Sequence, residues 1–97
     1  GEVCYYSGDM YFERNNSWYT HQFSTKYFND YSQFAQAFQL TNPQYLPFPP
    51  GGNFILTRDT VHKYGKDYYE KLLSILPYCQ EPGEAQMIER SYYSMWK

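Results

Sequence analysis

Apolar and polar positions change period several times along the chain, and each change marks an element. Near the N-terminus no clean period holds. Cys4-Tyr5-Tyr6 and Met10-Tyr11-Phe12 read as short strands around the turn residues Ser7-Gly8-Asp9. Asn15-Asn16-Ser17 reads as a second turn and Trp18-Tyr19-Thr20 as a third short strand. The period then becomes helical. Tyr27, Tyr31, Phe34 and Phe38 fall at i, i+4, i+7 and i+11, which predicts a helix over about 26–40 with Ser24 or Thr25 as its cap. Thr41-Asn42-Pro43 closes that segment, because the residue before a proline is pushed out of helical geometry.

Residues 43–52 form a loop with prolines at 43, 47, 49 and 50 and then Gly51-Gly52. Such a run suits neither a central strand nor a helix. The short apolar run Asn53-Phe54-Ile55-Leu56-Thr57 is the best strand candidate. Thr57 is placed to cap a short helix over 58–64, with Gly65 as its stop. Tyr69, Leu72, Leu73 and Leu76 predict a helix over 66–76 ended by Pro77. Ala85, Ile88, Tyr92 and Met95 predict a last helix over 83–96, with Pro82 at its start and Glu84 beside its positive end.

The predicted fold class is therefore α+β: three longer helices and a short one on a small or partial sheet. Residues 1–97 make a single small domain or an excised subdomain, divided into irregular or short-strand 1–25, helical 26–42, loop 43–52, and strand and helices 53–97. The expected core is Phe34, Phe38, Phe54, Leu56, Leu72, Leu76, Ile88 and Tyr92. A chain of this length buries only about 60–65% of its unfolded surface, so the core is modest. The chain begins with Gly1 rather than Met, as a processed product or an excised domain would.

Composition adds one large fact: 22 of the 97 residues are aromatic, 13 of them Tyr. That exceeds what so small a core needs, so exposed aromatic surface is expected. The net charge of −2 offers no general attraction to nucleic acid or anionic lipid, and no apolar run reaches the length of a membrane span. Cys4 and Cys79 stand alone and are expected to be free thiols; one long-range disulfide is the alternative. His21 and His62 lie on polar stretches without metal-ligand spacing. Glu70-Lys71 and Glu89-Arg90 read as solvated helix charges.

Two stretches carry candidate chemistry. From Pro49 to Leu56 a stiff approach, two glycines and a strand would form a tight turn, or a floor of exposed backbone beneath a substrate. From Pro82 to Arg90, Glu84 would be an ordinary helix-end charge, or a hydroxyl-binding carboxylate or general base at a cleft mouth.

The succession of Gly51-Gly52, Asn53 to Arg58, the Tyr68-Tyr69-Glu70-Lys71-Leu72-Leu73 helix and Pro82-Gly83-Glu84-Ala85 ahead of an aromatic helix resembles the C-terminal, acceptor-side half of GT-A-type glycosyltransferase-like proteins and related families of unknown function. The likeness spans about Phe34 to Trp96. It implies a fragment of a GT-A α/β domain, the acceptor-side portion of a sugar-nucleotide transferase, inactive alone. Glu84 would be the catalytic base, and Gly51, Gly52 and Asn53 would line the acceptor. No cofactor belongs to this chain; nucleotide sugar and divalent metal would bind only in a complete parent. The departures are clear: Asp9 stands without the Asp-x-Asp metal motif, no nucleotide-binding βαβ unit precedes the loop, and Ala85 replaces the usual Asp. The competing expectation is a non-catalytic, aromatic-rich module that binds carbohydrate or a protein partner.

Overall fold

A computed structural model of the chain describes residues 4–7, 10–48 and 57–96, with side chains over 11–48 and 57–96. It is α+β, as the patterning predicts. Strands β1 (Cys4–Ser7), β2 (Met10–Arg14) and β3 (Tyr45–Phe48) form an antiparallel sheet in the order β1-β2-β3. Five helices accompany it among the described residues: α1 (Tyr31–Ala37), α2 (Arg58–Val61), α3 (Lys66–Ser74), α4 (Gly83–Arg90) and α5 (Tyr92–Trp96). None is long and apolar enough to cross a membrane.

The first two strands lie where the aromatic triplets put them, with Tyr5 opposite Phe12 and Tyr6 opposite Tyr11. The third comes from the proline-rich stretch expected to be loop. Pro47 sits opposite Phe12 in β3, the outer described strand on that side. An outer strand tolerates a residue with no N–H. Trp18-Tyr19-Thr20 is not a strand but a 3-10 turn, Trp18–His21, behind a left-handed Ser17 (φ 53°). Ser17 is buried, and its hydroxyl accepts from the Tyr31 N–H at 2.8 Å, so the 3-10 turn and α1 are tied at their starts.

The helix predicted from residue 26 begins five residues later. Asp30, not Ser24 or Thr25, is its cap, accepting from the Gln33 N–H at 2.9 Å. It also ends earlier than Pro43 requires. Gln39 turns left-handed (φ 58°), and the Leu40 N–H reaches back to the Ala35 carbonyl at 2.8 Å, closing the helix without glycine. Thr57 caps α2 as expected, accepting from the Thr60 N–H at 3.2 Å. The single last helix is two, because the chain turns at Ser91, whose hydroxyl and N–H both bond the Ile88 carbonyl. The strand candidate 53–57 has its first four residues, with Phe54 and Leu56, outside the described residues; Thr57 is the α2 cap.

Helix α4 is the hub, touching β3, α1, α5 and the 3-10 turn. Phe34, Phe38, Leu72 and Tyr92 are buried as expected, joined by Tyr19, Tyr31, Leu46, Met87 and Met95. Leu76 and Ile88 are half-buried against this core. The α4 face turned inward is not the predicted Ala85–Ile88 stripe. Glu84, Met87 and Arg90 line it instead. Arg90, expected in solvent, is 5% exposed, and Glu13 on β2 is 2% exposed. Their side chains form a two-pronged ion pair, Nε to Oε1 at 2.5 Å and Nη2 to Oε2 at 3.0 Å. Nη1 donates to the Gln86 carbonyl and side-chain oxygens at 3.1 and 2.9 Å. The guanidinium carbon sits 4.6 Å from the Tyr19 ring centre and 4.9 Å from that of Phe48. The pair thus joins sheet to helix inside an aromatic wall.

Many aromatics outside the core are also structural. Tyr68 donates to the Phe38 carbonyl at 3.1 Å, Tyr69 to the Val61 carbonyl at 2.6 Å, and the Trp96 indole to the Tyr69 hydroxyl at 3.1 Å. Tyr64 stacks on Tyr68 with ring centres 4.1 Å apart.

Two outcomes test this packing. Removing one partner of the buried pair, by Arg90→Met or Glu13→Leu, should cost about 3–5 kcal/mol in chemical denaturation, and the double substitution should restore most of that loss. A double variant as unstable as the sum of the singles would place the energy elsewhere. Leu72→Ala should cost roughly 2–5 kcal/mol, whereas its exposed neighbour Leu73→Ala should stay within about 0.5 kcal/mol. Equal losses would mean a different helix phase.

Candidate functional site

The site residue predicted on the last helix lies in an unusual setting. Pro82 and Gly83 start α4 against the loop that precedes α1. The Gly83 N–H donates to the Ser24 carbonyl at 2.6 Å. A β-carbon at Gly83 would stand 2.5 Å from the Thr25 methyl and 3.2 Å from the Ser24 carbonyl oxygen, so only glycine allows this approach without displacement. The contact carries Glu84 beneath the loop, where it is 0% exposed.

Its carboxylate is fully engaged there. Oε2 accepts from three successive backbone N–H groups: Lys26 at 2.9 Å, Tyr27 at 2.8 Å and Phe28 at 3.4 Å. The Tyr78 hydroxyl donates to Oε1, with the Ser24 carbonyl 2.8 Å away. Loop 26–28 is therefore a small cradle of N–H groups filled by the chain's own carboxylate. The backbone runs extended at Asp30 (φ −154°, ψ 174°), which is why the helix predicted from residue 26 begins only at Tyr31.

Burial alone would raise the Glu84 pKa. The Tyr78 hydroxyl and the Tyr27 and Lys26 N–H groups outweigh it and hold the carboxyl below its ordinary value. Burial and the neighbouring carboxylate push the Tyr78 phenol up. The site is therefore charged carboxylate and neutral phenol at neutral pH.

The expectation of a carboxylate opening onto a cleft does not match this geometry. Glu84 faces inward, both its oxygens have donors, and no concave pocket among the described residues opens onto it. A general base must reach the proton-bearing oxygen of a substrate. Gly51, Gly52 and Asn53 lie outside the described residues. Among the described residues no three or more His, Cys, Asp or Glu side chains gather as metal ligands. Cys79 is an exposed free thiol; the Cys4 side chain lies outside the described ones.

What the buried carboxylate supports is an aromatic tip on the surface. Tyr27 is 45% exposed, although it sits between residues whose main chain is fixed from below. Its ring meets the Tyr78 ring edge to face, centres 5.8 Å apart. The Lys26 ammonium lies 5.3 Å from the Tyr27 ring centre and 5.7 Å from that of Tyr78. The spacing puts Tyr27 on a helical aromatic stripe, and nothing local in the sequence marks it as a tip. The signal that could have found it is remote: an acidic residue directly after Pro-Gly is a good donor-seeking group for a loop.

No family model matches the chain, and no curated protein and no solved structure is significantly similar to it.

The carboxylate predicts a pH response. Its folded pKa is depressed, so its stabilisation is present above the unfolded carboxyl pKa and is lost as pH falls through the folded value. Glu84→Ala, which leaves buried donors unpaired, should cost on the order of 3 kcal/mol at neutral pH. Glu84→Gln should lose less, and its deficit against the native chain should shrink on acidification below about pH 4. Denaturant melts across that range measure both, and a deficit independent of pH would remove the charge from the account.

Proposed function

We propose that this chain is a non-catalytic binding module that recognises a protein partner through the Lys26–Tyr27–Tyr78 tip. The observation that carries the reading is the half-exposed Tyr27 ring on a loop whose three successive N–H groups are anchored by one buried carboxylate. Rigid scaffolds commonly present recognition groups on loops, and a tyrosine held in place loses little freedom on contact. Tyrosine is also among the residues that dominate interface energetics.

A protein surface suits the tip better than a sugar ring does. Stacking on a pyranose needs an open aromatic face. Here the lysine ammonium stands against both rings, and the two rings meet edge to face. The acceptor-side transferase reading needs Glu84 to be free for a hydroxyl, and its burial and hydrogen bonds favour the anchoring role.

The test is amide NMR of the intact labelled chain against a panel of short peptides and a panel of oligosaccharides. Peptide-induced shifts should cluster on residues 25–28 and 78. Tyr27→Ala should weaken that binding by roughly 30-fold, equivalent to about 2 kcal/mol, while leaving the thermal midpoint nearly unchanged. Oligosaccharide-induced shifts at the same residues, or peptide shifts confined to another face, would overturn the reading.

A further inference from the structure

We infer that the partner segment docking on the Lys26–Tyr27–Tyr78 tip is acidic, with an Asp or Glu carboxylate meeting the Lys26 ammonium above the two tyrosine rings. This rests on the tip being a protein-binding surface and names the chemistry it takes. Three observations carry it.

The first is the state of the lysine. Lys26 is exposed, and its ammonium is held near both ring centres at 5.3 and 5.7 Å. Among the described residues no carboxylate lies within ion-pair distance of it. A cation resting on aromatic faces keeps its charge while its freedom is reduced, so pairing it requires less ordering. Lys66, by contrast, has Glu70 at 3.6 Å on its own helix.

The second is the composition of the surrounding chain. From Asn15 through Asn29 there is no Asp or Glu, and His21 and Lys26 are the titratable groups there besides the tyrosines. Lys71 through Cys79 also contains no acid; the nearest exposed acid beyond it is Glu81. The acids that flank these stretches are Asp30, whose side chain accepts from the Gln33 N–H, the exposed Glu81 and the buried Glu84, and none of them pairs with the Lys26 ammonium.

The third is where the site's own acid lies. Glu84 is directly beneath the loop but points inward, and its charge is answered by three main-chain N–H groups and the Tyr78 hydroxyl. The N–H dipoles are thereby spent on the inner carboxylate. The outward face is left with the ammonium and the ring edges, whose positive rims also favour a carboxylate oxygen.

The experiment uses the whole chain and fluorescently labelled short peptides carrying Asp and Glu among apolar residues, each with a counterpart in which the acids are Asn and Gln. Acidic peptides should bind at least about tenfold more tightly than their amide counterparts, with an advantage that shrinks at high salt. Lys26→Glu should abolish that preference, and Lys26→Arg should keep it. Lys63→Glu, which alters the lysine standing 5.5 Å from the Tyr64 ring on another part of the surface, should leave it intact. Inorganic phosphate at matched ionic strength should not compete, since a lone anion lacks the apolar contacts. Equal binding of acidic and amide peptides, with Tyr27→Ala still weakening both, would overturn this inference and leave the binding-module reading standing. No peptide binding at the tip at all would overturn both. An unchanged acid preference in Lys26→Glu would also overturn the inference.

Discussion

The Glu13–Arg90 pair fixes how the sheet meets helix α4, a joint that hydrophobic burial alone orients poorly. The sheet is short and its strands carry aromatics, and Leu46 of β3 is the side chain that shares the central core with Met87 and Met95. A chain of this size has little core with which to orient a sheet against a helix. Arg90 supplies direction as well as attachment. Its planar fork fixes the angle between α4 and β2, and the Tyr19 and Phe48 rings beside it fix its rotation. Burying two charges is costly unless each is well paired, and this pair is satisfied on both sides. In turn, the placement of α4 determines where Glu84 arrives at the opposite end of the helix.

That helix therefore carries a buried charge at each end. Glu84, near the positive N-terminus, reaches to the loop before α1; Arg90, near the negative C-terminus, reaches to the sheet. Both charges agree with the helix dipole. Met87 between them fills the apolar middle. The inward face of α4 is thus acid, methionine and arginine, and no hydropathy stripe describes it.

This explains how much of the fold was legible in the sequence. The α+β class, the two aromatic strands, the Thr57 cap and the Lys66 start of α3 rest on local chemistry, so local patterning found them. The α1 start failed because the spacing of Tyr27 and Tyr31 straddles a break at Asp30, whose backbone is extended and whose side chain caps the helix. The α4 phase failed for a different reason: Arg90 and Glu13 are 77 residues apart, and each looks solvent-bound until the other is placed. Glu84 was legible as a residue of interest, because a carboxylate just after Pro-Gly sits at the positive end of a helix. Its employment was not, because a carboxylate poised for a substrate and one poised for a backbone loop have the same local sequence.

The aromatic excess resolves along similar lines. Three hydroxyl or indole donors of the tyrosine and tryptophan cluster on α3 and α5 end on partners within the fold, which makes those rings mortar between short helices. Tyr27 differs from them. It is half exposed, yet it stands on the most heavily anchored main chain in the loop. Moving Glu84 from water to the interior is opposed by its desolvation, and the Tyr78 hydroxyl and the cradle of N–H groups offset that cost. The same hydroxyl belongs to the ring that flanks Tyr27, so one residue both hydrogen-bonds the anchor and shapes the surface above it. A fold that couples its interior to the loop in this way fixes the main chain from which the exposed Tyr27 ring projects.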